Sequence, residues 1–372
     1  MSDRIFVATR KGLFTLTRSA AGWAISNHHF LGEPVSAILP DPRDRSLYAA
    51  LNLGHFGTKL WRSPDRGGNG PGNGPNWQEI TTPAYPPQPD PPSPEDKTPW
   101  KLELIWTLEA GGRDEPGALY AGTIPGGLFR SNDQGATWSL MRGLWDRPER
   151  LGWFGGGYDH PGIHSICVDP RDSAHVLVGI SSGGVWSSRD RGGSWTLGGK
   201  GMLAEYMPPD RRDDPNIQDV HRLVQCRANP DELWVQHHSS VYRSSDTGAS
   251  WQEIPNPAVS KFGFAVAVHP TRPGTAWFVP AIKDERRYPV DGALAVTRTR
   301  DGGKTFEALR TGLPQAHAYD LIYRHGLDVD RTGERLVIGS TTGNLWVSEN
   351  GGDAWQRVST HLPPVNAVRF DI

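Results

Sequence analysis

The segment Ser188-Arg-Asp190-Arg-Gly192-Gly-Ser-Trp195 decides the fold, because its pattern returns along the whole chain of 372 residues. The pattern is Ser or Thr, any residue, Asp, any residue, Gly, two residues, then Trp or Phe. An insertion splits one copy, the first is worn, and the last has Asn in place of Asp. Seven copies are recognisable, spaced 49 to 61 residues apart, with aromatic ends at Trp23, Trp77, Trp138, Trp195, Trp251, Phe306 and Trp355.

This repeat length matches one four-stranded blade of a β-propeller. In each copy the Ser and Asp side chains can bond the N–H groups of a turn, and Gly supplies a positive φ. The aromatic ring can fill the gap between neighbouring sheets. Alternating apolar segments separated by Gly and Pro supply the strands. The sequence therefore predicts an all-β, seven-bladed β-propeller.

The two ends of the chain complete one blade between them. Residues 365–370 have the pattern of a first strand with no blade of its own, and residues 5–9 that of a second strand with no first. Pairing them would close the ring and remove its exposed edges. We expect the N- and C-terminal strands to share a blade, and residues 1–372 to form a single domain.

The recurring segment resembles the Asp-box, or BNR, repeat of the sialidase-like β-propellers, and the resemblance covers the whole chain. It implies a propeller and a glycosyl-hydrolase-like protein. The chain departs from true sialidases, in which an early Arg-Ile-Pro segment, an arginine triad and a Tyr/Glu nucleophile pair are expected. Here Arg4-Ile5-Phe6 lacks the proline, and no arginine stands in a recognisable triad motif. We therefore do not expect exo-sialidase activity.

Composition excludes several classes of partner. The net charge of −2 gives no basic surface for nucleic acid. No run of 18 apolar residues and no apolar leader is present in the sequence. Cys167 and Cys226, the two cysteines, cannot build a disulfide framework. We expect a soluble cytoplasmic protein with neither nucleic acid nor a membrane as partner.

Three consecutive connections between blades are twice as long as the others. Trp77 to Glu103, Trp138 to His164 and Trp195 to His221 each span 26 residues, whereas the other four connections span 11 to 13. Chain direction puts them all on one face, called here the top face, together with the turns between second and third strands. Long loops on one face of a rigid scaffold usually carry function. They would wall a pocket at the top of the central channel, or else only cover neighbouring blades or an oligomer interface.

Acidic residues at this predicted mouth are the candidate catalytic groups. Two carboxylates at about 5–10 Å would suit acid/base or nucleophilic work on a glycosidic bond. The same acids among cations would equally make a solvated polar channel. The candidates are Glu103, Asp159, Asp219 and Asp320.

Histidines also gather at the predicted mouth. His164 and His221 open inner strands of adjacent blades, and His160 lies just ahead of His164. These three could bind a divalent metal ion, although no metal-binding motif such as HExxH or CxxC occurs. The alternative is hydrogen-bonded histidines in a channel without metal. Residues expected to contact a ligand are His160, His164, His221, His237, Lys283, Arg286 and Tyr319.

Two functions of different class fit these observations. The first is a pocket that binds or hydrolyses a small polar ligand, such as a sugar or a carboxylate, with a metal-assisted variant. The second is a non-catalytic platform for protein–protein interaction or assembly, with top-loop aromatics as the contact. Its candidates are Trp100, Trp145, Trp153 and Tyr206. The sequence leaves open whether the protein is an enzyme.

Overall fold

Every strand belongs to one of seven four-stranded antiparallel sheets. The structure, a computed structural model, describes residues 1–68, 76–91 and 93–371, and within these ranges it contains 28 strands. Each sheet is one blade of a ring, which confirms the predicted all-β, seven-bladed β-propeller. The insertion that splits the second copy of the repeat lies mostly outside the described residues.

The first four blades follow the chain. Blade 1 contains β1 (Arg4–Thr9), β2 (Gly12–Ser19) and β3 (Gly22–His29), and blade 2 contains β4 (Val35–Pro40), β5 (Leu47–Asn52), β6 (Thr58–Ser63) and β7 (Gln78–Ile80). Blade 3 contains β8 (Leu104–Ala110), β9 (Leu119–Ile124), β10 (Leu128–Ser131) and β11 (Ser139–Leu140). Blade 4 contains β12 (Ile163–Val168), β13 (Val176–Ile180), β14 (Gly184–Ser188) and β15 (Thr196–Gly198).

The remaining blades continue in the same order. Blade 5 contains β16 (Val220–Gln225), β17 (Leu233–His237), β18 (Val241–Ser244) and β19 (Gln252–Ile254). Blade 6 contains β20 (Gly263–Val268), β21 (Ala276–Pro280), β22 (Val296–Thr299) and β23 (Glu307–Leu309), and blade 7 contains β24 (Leu327–Val329), β25 (Leu336–Gly339), β26 (Leu345–Ser348) and β27 (Gln356–Ser359). Helical structure is confined to α1 (Arg142–Trp145) and 3₁₀ turns at Gly54–Phe56, Pro148–Gly152, Pro215–Ile217 and Val290–Gly292 among the described residues.

The last strand, β28 (Val365–Phe370), closes the ring. It pairs antiparallel with β1, with Ile5 opposite Phe370 and Val7 opposite Val368. The prediction that the two terminal strands share a blade is confirmed. No helix within the described ranges is long and apolar enough to cross a membrane.

The core lies between neighbouring blades, where four of the seven aromatic ends of the repeats are buried and Trp77, Trp138 and Phe306 are half-buried. Trp195, 5% exposed, packs in one cluster with Tyr120 and Leu128 of the preceding blade. Trp355, also 5% exposed, packs with Trp277 of the blade before it. Removing a buried ring of this size typically costs about 3–5 kcal/mol of stability. The repeated aromatic residue therefore joins each blade to its neighbour.

The recurring turns satisfy their own polar groups. In the fourth blade the Ser188 Oγ accepts the N–H of Gly192 at 2.7 Å, and Gly192 has a φ of 88°. The Asp190 carboxylate accepts the Ser194 N–H at 2.8 Å and the Ser194 hydroxyl at 2.7 Å. These turns join third to fourth strands, on the face opposite the long connections, called here the bottom face. The aspartates of these turns therefore stabilise the turns by accepting hydrogen bonds within them.

The first long connection covers blade 3. The Tyr85 hydroxyl lies 2.7 Å from the Thr123 Oγ1, and its ring packs against Trp145 of α1. Asp96 forms a buried ion pair with Arg150 at 2.6 Å. The first long connection thus covers a neighbouring blade, which is one of the two roles predicted for the long loops.

Candidate functional site

A cavity of about 620 Å³ opens on the top face above blades 4, 5 and 6. Two of the three long connections contribute to its wall, through residues 154–157 and 205–206. The rest of the wall comes from turns and from the starts of inner strands, through Ser182, Asp219, His221, His238, Ser239, Phe262, Phe264, Lys283, Asp284, Glu285 and Arg287. The connection that covers blade 3 contributes no lining residue among those described.

Three side chains meet at the floor of this cavity. Asp219 and His221 flank the first residue of β16, and His238 follows the end of β17. The Asp219 Oδ2 lies 3.4 Å from the His221 Nε2 and 3.2 Å from the His238 Nδ1. The backbone N–H of His238 donates to the carbonyl of Asp219 at 2.9 Å, which fixes the two loops together. We call these three residues the Asp-His-His cluster.

Burial and neighbouring charge set the protonation of the cluster. Burial raises the pKa of the Asp219 carboxyl, but the adjacent imidazoles and the charge of Arg324 outweigh it and hold that pKa well below its usual value. Burial lowers the pKa of His221, against the opposing effect of Asp219. The carboxylate of Asp219 is therefore the ionised member of the cluster near neutral pH.

The predicted metal set of His160, His164 and His221 does not come together. The His164 Nε2 donates to the Val220 carbonyl at 2.6 Å, and its Nδ1 lies 2.9 Å from the Ser165 hydroxyl. Both ring nitrogens of this buried side chain are thus engaged. His160 instead lies 3.6 Å from the exposed Glu103.

Among the four predicted carboxylates, Asp219 lines the cavity and the others lie elsewhere. Asp320 is buried and accepts hydrogen bonds from the Thr342 hydroxyl and, at 2.7 Å, from Asn344, in the turn between β25 and β26. Asp159 is exposed at the protein surface. The carboxylate of Asp320 therefore stabilises its own blade.

The other predicted ligand contacts divide in the same way. Lys283 lines the cavity and pairs with Glu285 at 3.0 Å, whereas Arg287 takes the place expected for Arg286. Tyr319 is 63% exposed, next to Tyr288. His237 points away from the cavity.

His238 lines the cavity, whereas the ligand contact was predicted for its neighbour His237. Side chains alternate along β17, so His237 shares a face with Leu233 and Val235, which pack on blade 4. Burial lowers the pKa of His237 to about 3. The residue that follows has the opposite parity, and His238 meets the Phe262 ring at 5.7 Å. Strict use of the alternation would have found it.

A second buried charge, Arg324, lies near the cluster. This side chain is 6% exposed, and its guanidinium lies between the rings of Trp106 and Phe264, at 4.9 and 5.3 Å. Its Nε and Nη2 have no hydrogen-bond partner among the described residues. Burial lowers the pKa of Arg324, and the charge of Asp219 opposes that effect. No recognisable motif marks this arginine in the sequence.

The tryptophans expected at a protein interface are not on the surface. Trp145 and Trp153 are 1% and 7% exposed, and Trp100 packs edge-on against Trp145. Tyr206, the fourth predicted contact, is exposed, and other exposed aromatic side chains on the top loops are Phe56, Phe154, Tyr158 and Tyr319.

Comparison with known proteins agrees on the fold. No protein-family model matches the chain. A xyloglucanase from Paenibacillus sp. is 24% identical over 298 residues, which is 69% of this chain and 26% of that protein. The chain thus spans about a quarter of the length of this curated relative.

Solved structures give the same picture. An ancestral GH74 enzyme superposes with a TM-score of 0.58 at 18% identity, over 87% of this chain and 38% of that one. YCF48 bound to D1 peptide superposes with a TM-score of 0.56 at 14% identity, over 94% and 90% of the two chains. At these identities the likeness shows a shared fold.

Proposed function

We propose that the top cavity binds a small polar ligand that carries a carboxylate, such as an acidic sugar. We also propose that the chain is an Asp-box (BNR) propeller whose repeats form one domain. The observation that carries the ligand class is Arg324, a buried guanidinium with two N–H groups that meet no acceptor in the described part of the chain. An unsatisfied buried donor is costly, so such groups call for a ligand or ordered water.

The arrangement of these two donors matches a carboxylate. Nε and Nη2 form one edge of the guanidinium, and a carboxylate can accept from both at once. Arg171 binds the Asp169 carboxylate through these two atoms, at 3.0 and 2.7 Å. Other arginines of this chain do the same: Arg18 with Glu349, Arg43 with Asp41 and Arg147 with Glu149. The same edge of Arg324 is buried and has no acceptor among the described residues, so a carboxylate that reached it would complete its hydrogen bonding.

Aromatic rings connect Arg324 to the cavity. Phe264 contacts the guanidinium on one side and lines the cavity on the other. Trp106 also contacts the guanidinium of Arg324, and its ring centroid lies 5.1 Å from that of Tyr158. The side chain of Tyr158 is 52% exposed. Arg324 does not itself line the cavity, so a ligand that enters past Tyr158 must displace one of these rings to place its carboxylate on Arg324 and the rest of its surface in the cavity. The similarity to a xyloglucanase supports a saccharide for that remainder.

Binding is better supported than hydrolysis by a carboxylate pair. Of the predicted catalytic acids, Asp219 lines the cavity, and its Oδ2 is engaged with two imidazoles. Glu205 and Glu285 also line it, but Glu285 is paired with Lys283. The proposal therefore commits to recognition of the ligand.

The test compares D-glucuronate, D-glucose and acetate by isothermal titration and ligand-observed NMR. We expect glucuronate to bind at least tenfold more tightly than glucose, with acetate competing. Arg324→Met should remove that preference, while the matched control Arg286→Met, an exposed position that does not line the cavity, should keep it. Equal affinity for glucuronate and glucose, or no binding of any carboxylate, would contradict the proposal.

A peptide is the second candidate ligand. Exposed Phe154 and Tyr206 line the cavity, and exposed Tyr158 follows its lining residue Gly157 in the chain. Apolar rims of this kind suit protein contacts. YCF48, similar in fold, is known bound to a peptide. A tetrapeptide with a free C-terminus, compared with its amide, decides between the two candidates. Tighter binding of the free peptide than of glucuronate would favour the second.

A further inference from the structure

We propose that the Asp-His-His cluster of Asp219, His221 and His238 binds one divalent first-row transition metal ion, with Zn²⁺ as the best fit. The proposal deepens the ligand-binding function above and rests on it for the role of the ion, since the ion would face the same cavity. Its evidence, however, comes from the three side chains themselves.

The spacing of the donor atoms suits a metal ion. Ligands about 2.1 Å from a tetrahedral Zn²⁺ stand roughly 3.4 Å from one another. The observed separations are 3.4 Å from the Asp219 Oδ2 to the His221 Nε2, and 3.2 Å from that oxygen to the His238 Nδ1. All three donor atoms lie within 4.8 Å of each other. No large rearrangement is needed for one ion to reach them.

The hydrogen bonding of His221 fixes which nitrogen faces the cluster. Its Nδ1 lies 2.7 Å from the Gly263 carbonyl oxygen, so Nδ1 carries the proton and donates it. When this ring is neutral, the lone pair of Nε2 points towards the Asp219 carboxylate. Two acceptors face each other there, and a cation between them would satisfy both. A backbone carbonyl on the far nitrogen is the usual support of a metal-binding histidine.

Asp219 supplies an independent observation. The residue is 5% exposed, and its Oδ1 has no hydrogen-bond partner in the described part of the chain. A buried carboxylate oxygen without a partner is unfavourable. Gly156 lies against this oxygen, since a Cβ there would be 3.0 Å from it. A metal ion bound by both oxygens of Asp219 would give Oδ1 the partner that it lacks among the described residues.

The donor set selects the class of metal. Two imidazoles and one carboxylate suit Zn²⁺ and its first-row neighbours, whereas Mg²⁺ and Ca²⁺ prefer oxygen ligands throughout. Three protein ligands leave a further coordination position, which is the pattern of sites that bind water or substrate. The cavity beside the cluster has room for that additional ligand.

The experiment uses the full chain without an affinity tag, treated with chelator and then titrated with Zn²⁺ or Mg²⁺ by calorimetry. We expect one Zn²⁺ per chain and no Mg²⁺ binding. Co²⁺ should give the visible absorption of a four- or five-coordinate site. His238→Gln and Asp219→Asn should each weaken Zn²⁺ binding at least 100-fold, because each removes a ligand. Loss of a residue that only supports a ligand already costs about 10- to 100-fold. The matched control is His160→Gln, at the histidine that pairs with Glu103.

Folding is controlled separately. The side chain of His238 is 23% exposed, so His238→Gln is the variant expected to keep its fold. Zn²⁺ should raise the melting temperature of the unmodified protein and leave that of His238→Gln unchanged. Failure of the unmodified protein to bind Zn²⁺, or equal loss in His160→Gln, overturns the metal site. If glucuronate still binds through Arg324 in that case, the proposed function survives without the metal site. If Zn²⁺ binds but no carboxylate does, the metal site survives and the proposed function is overturned.

Discussion

Aspartates on the two faces of the disc have opposite surroundings. On the bottom face, both oxygens of Asp190 accept hydrogen bonds, from Ser188 and Ser194. On the top face, Asp219 is buried, and its Oδ1 has no partner among the residues described. The satisfied carboxylate stabilises the fold, and the unsatisfied one is a member of the site proposed above. Residue type alone does not separate the two roles, but the count of available donors does.

Arginines show the same contrast. Arg171 spends its Nε and Nη2 on Asp169 in a bottom-face turn. Arg324 is more deeply buried and spends neither. Arg171 is thus satisfied within its own turn, whereas Arg324 has hydrogen-bonding capacity left for a partner beyond the described residues.

The strongest test of this contrast closes the space beside Asp219. A Cβ at Gly156 would lie 2.6 Å from the Ser181 Oγ and 3.0 Å from the Asp219 Oδ1. Gly156→Ala should therefore displace the carboxylate and weaken Zn²⁺ binding about tenfold, or 1.4 kcal/mol. Calorimetric titration measures the loss. Ser181→Ala alone should bind Zn²⁺ as the unmodified protein does, and an unchanged affinity in Gly156→Ala would show that the cluster does not use this oxygen.

A smaller effect is expected from the bottom face. Asp246 accepts the Ser250 N–H at 2.9 Å and the Ser244 hydroxyl at 2.7 Å. Asp246→Ala should lower the free energy of unfolding by about 1 kcal/mol, as loss of a capping side chain does. Urea denaturation measures it. Zn²⁺ affinity should not change, and a large change would break the division between the two faces.

The smallest expected effect is an acid one. Hydrogen bonds within the turns lower the pKa of Asp133, Asp190 and Asp301 to about 2. A carboxyl whose pKa is lower in the folded state stabilises the protein above its ordinary pKa of 3.8 and loses this contribution as pH falls towards 2. Replacing all three by Asn should flatten the fall in stability between about pH 4 and pH 2.

The last repeat supplies the control for that experiment. Asn350 stands where the other turns have Asp, and its Oδ1 still accepts the Ala354 N–H at 2.9 Å. Asn therefore fits the turn, and the substitution isolates the charge. Denaturation curves at each pH give the comparison, and identical acid profiles for the two proteins would refute the role of these carboxyls.

The sequence predicted the fold well because one repeated unit encodes both a turn and a packing contact. The seven aromatic ends of the repeats predict seven blades, and the strand patterns of residues 5–9 and 365–370 predict the closure of the ring. Asp219 and His221 were predicted for the site because they open an inner strand. The site itself depends on contacts between blades, which repeat spacing does not encode.

Particular residues show where the prediction ended. His164 opens an inner strand as His221 does, yet its ring is held by Val220 and Ser165. Arg324 stands out only when its lack of acceptors is known. Such properties arise from packing in three dimensions, so a sequence pattern offers no measure of them.

Phe264 contacts both the Asp-His-His cluster and Arg324. Its ring stacks on His221 at a centroid distance of 4.4 Å and lies 5.3 Å from the Arg324 guanidinium. A shift of this one ring therefore changes the surroundings of the proposed cation site and the proposed anion site together. Thermodynamic reciprocity then requires that whatever a bound metal does to carboxylate affinity, the carboxylate does to metal affinity by the same factor.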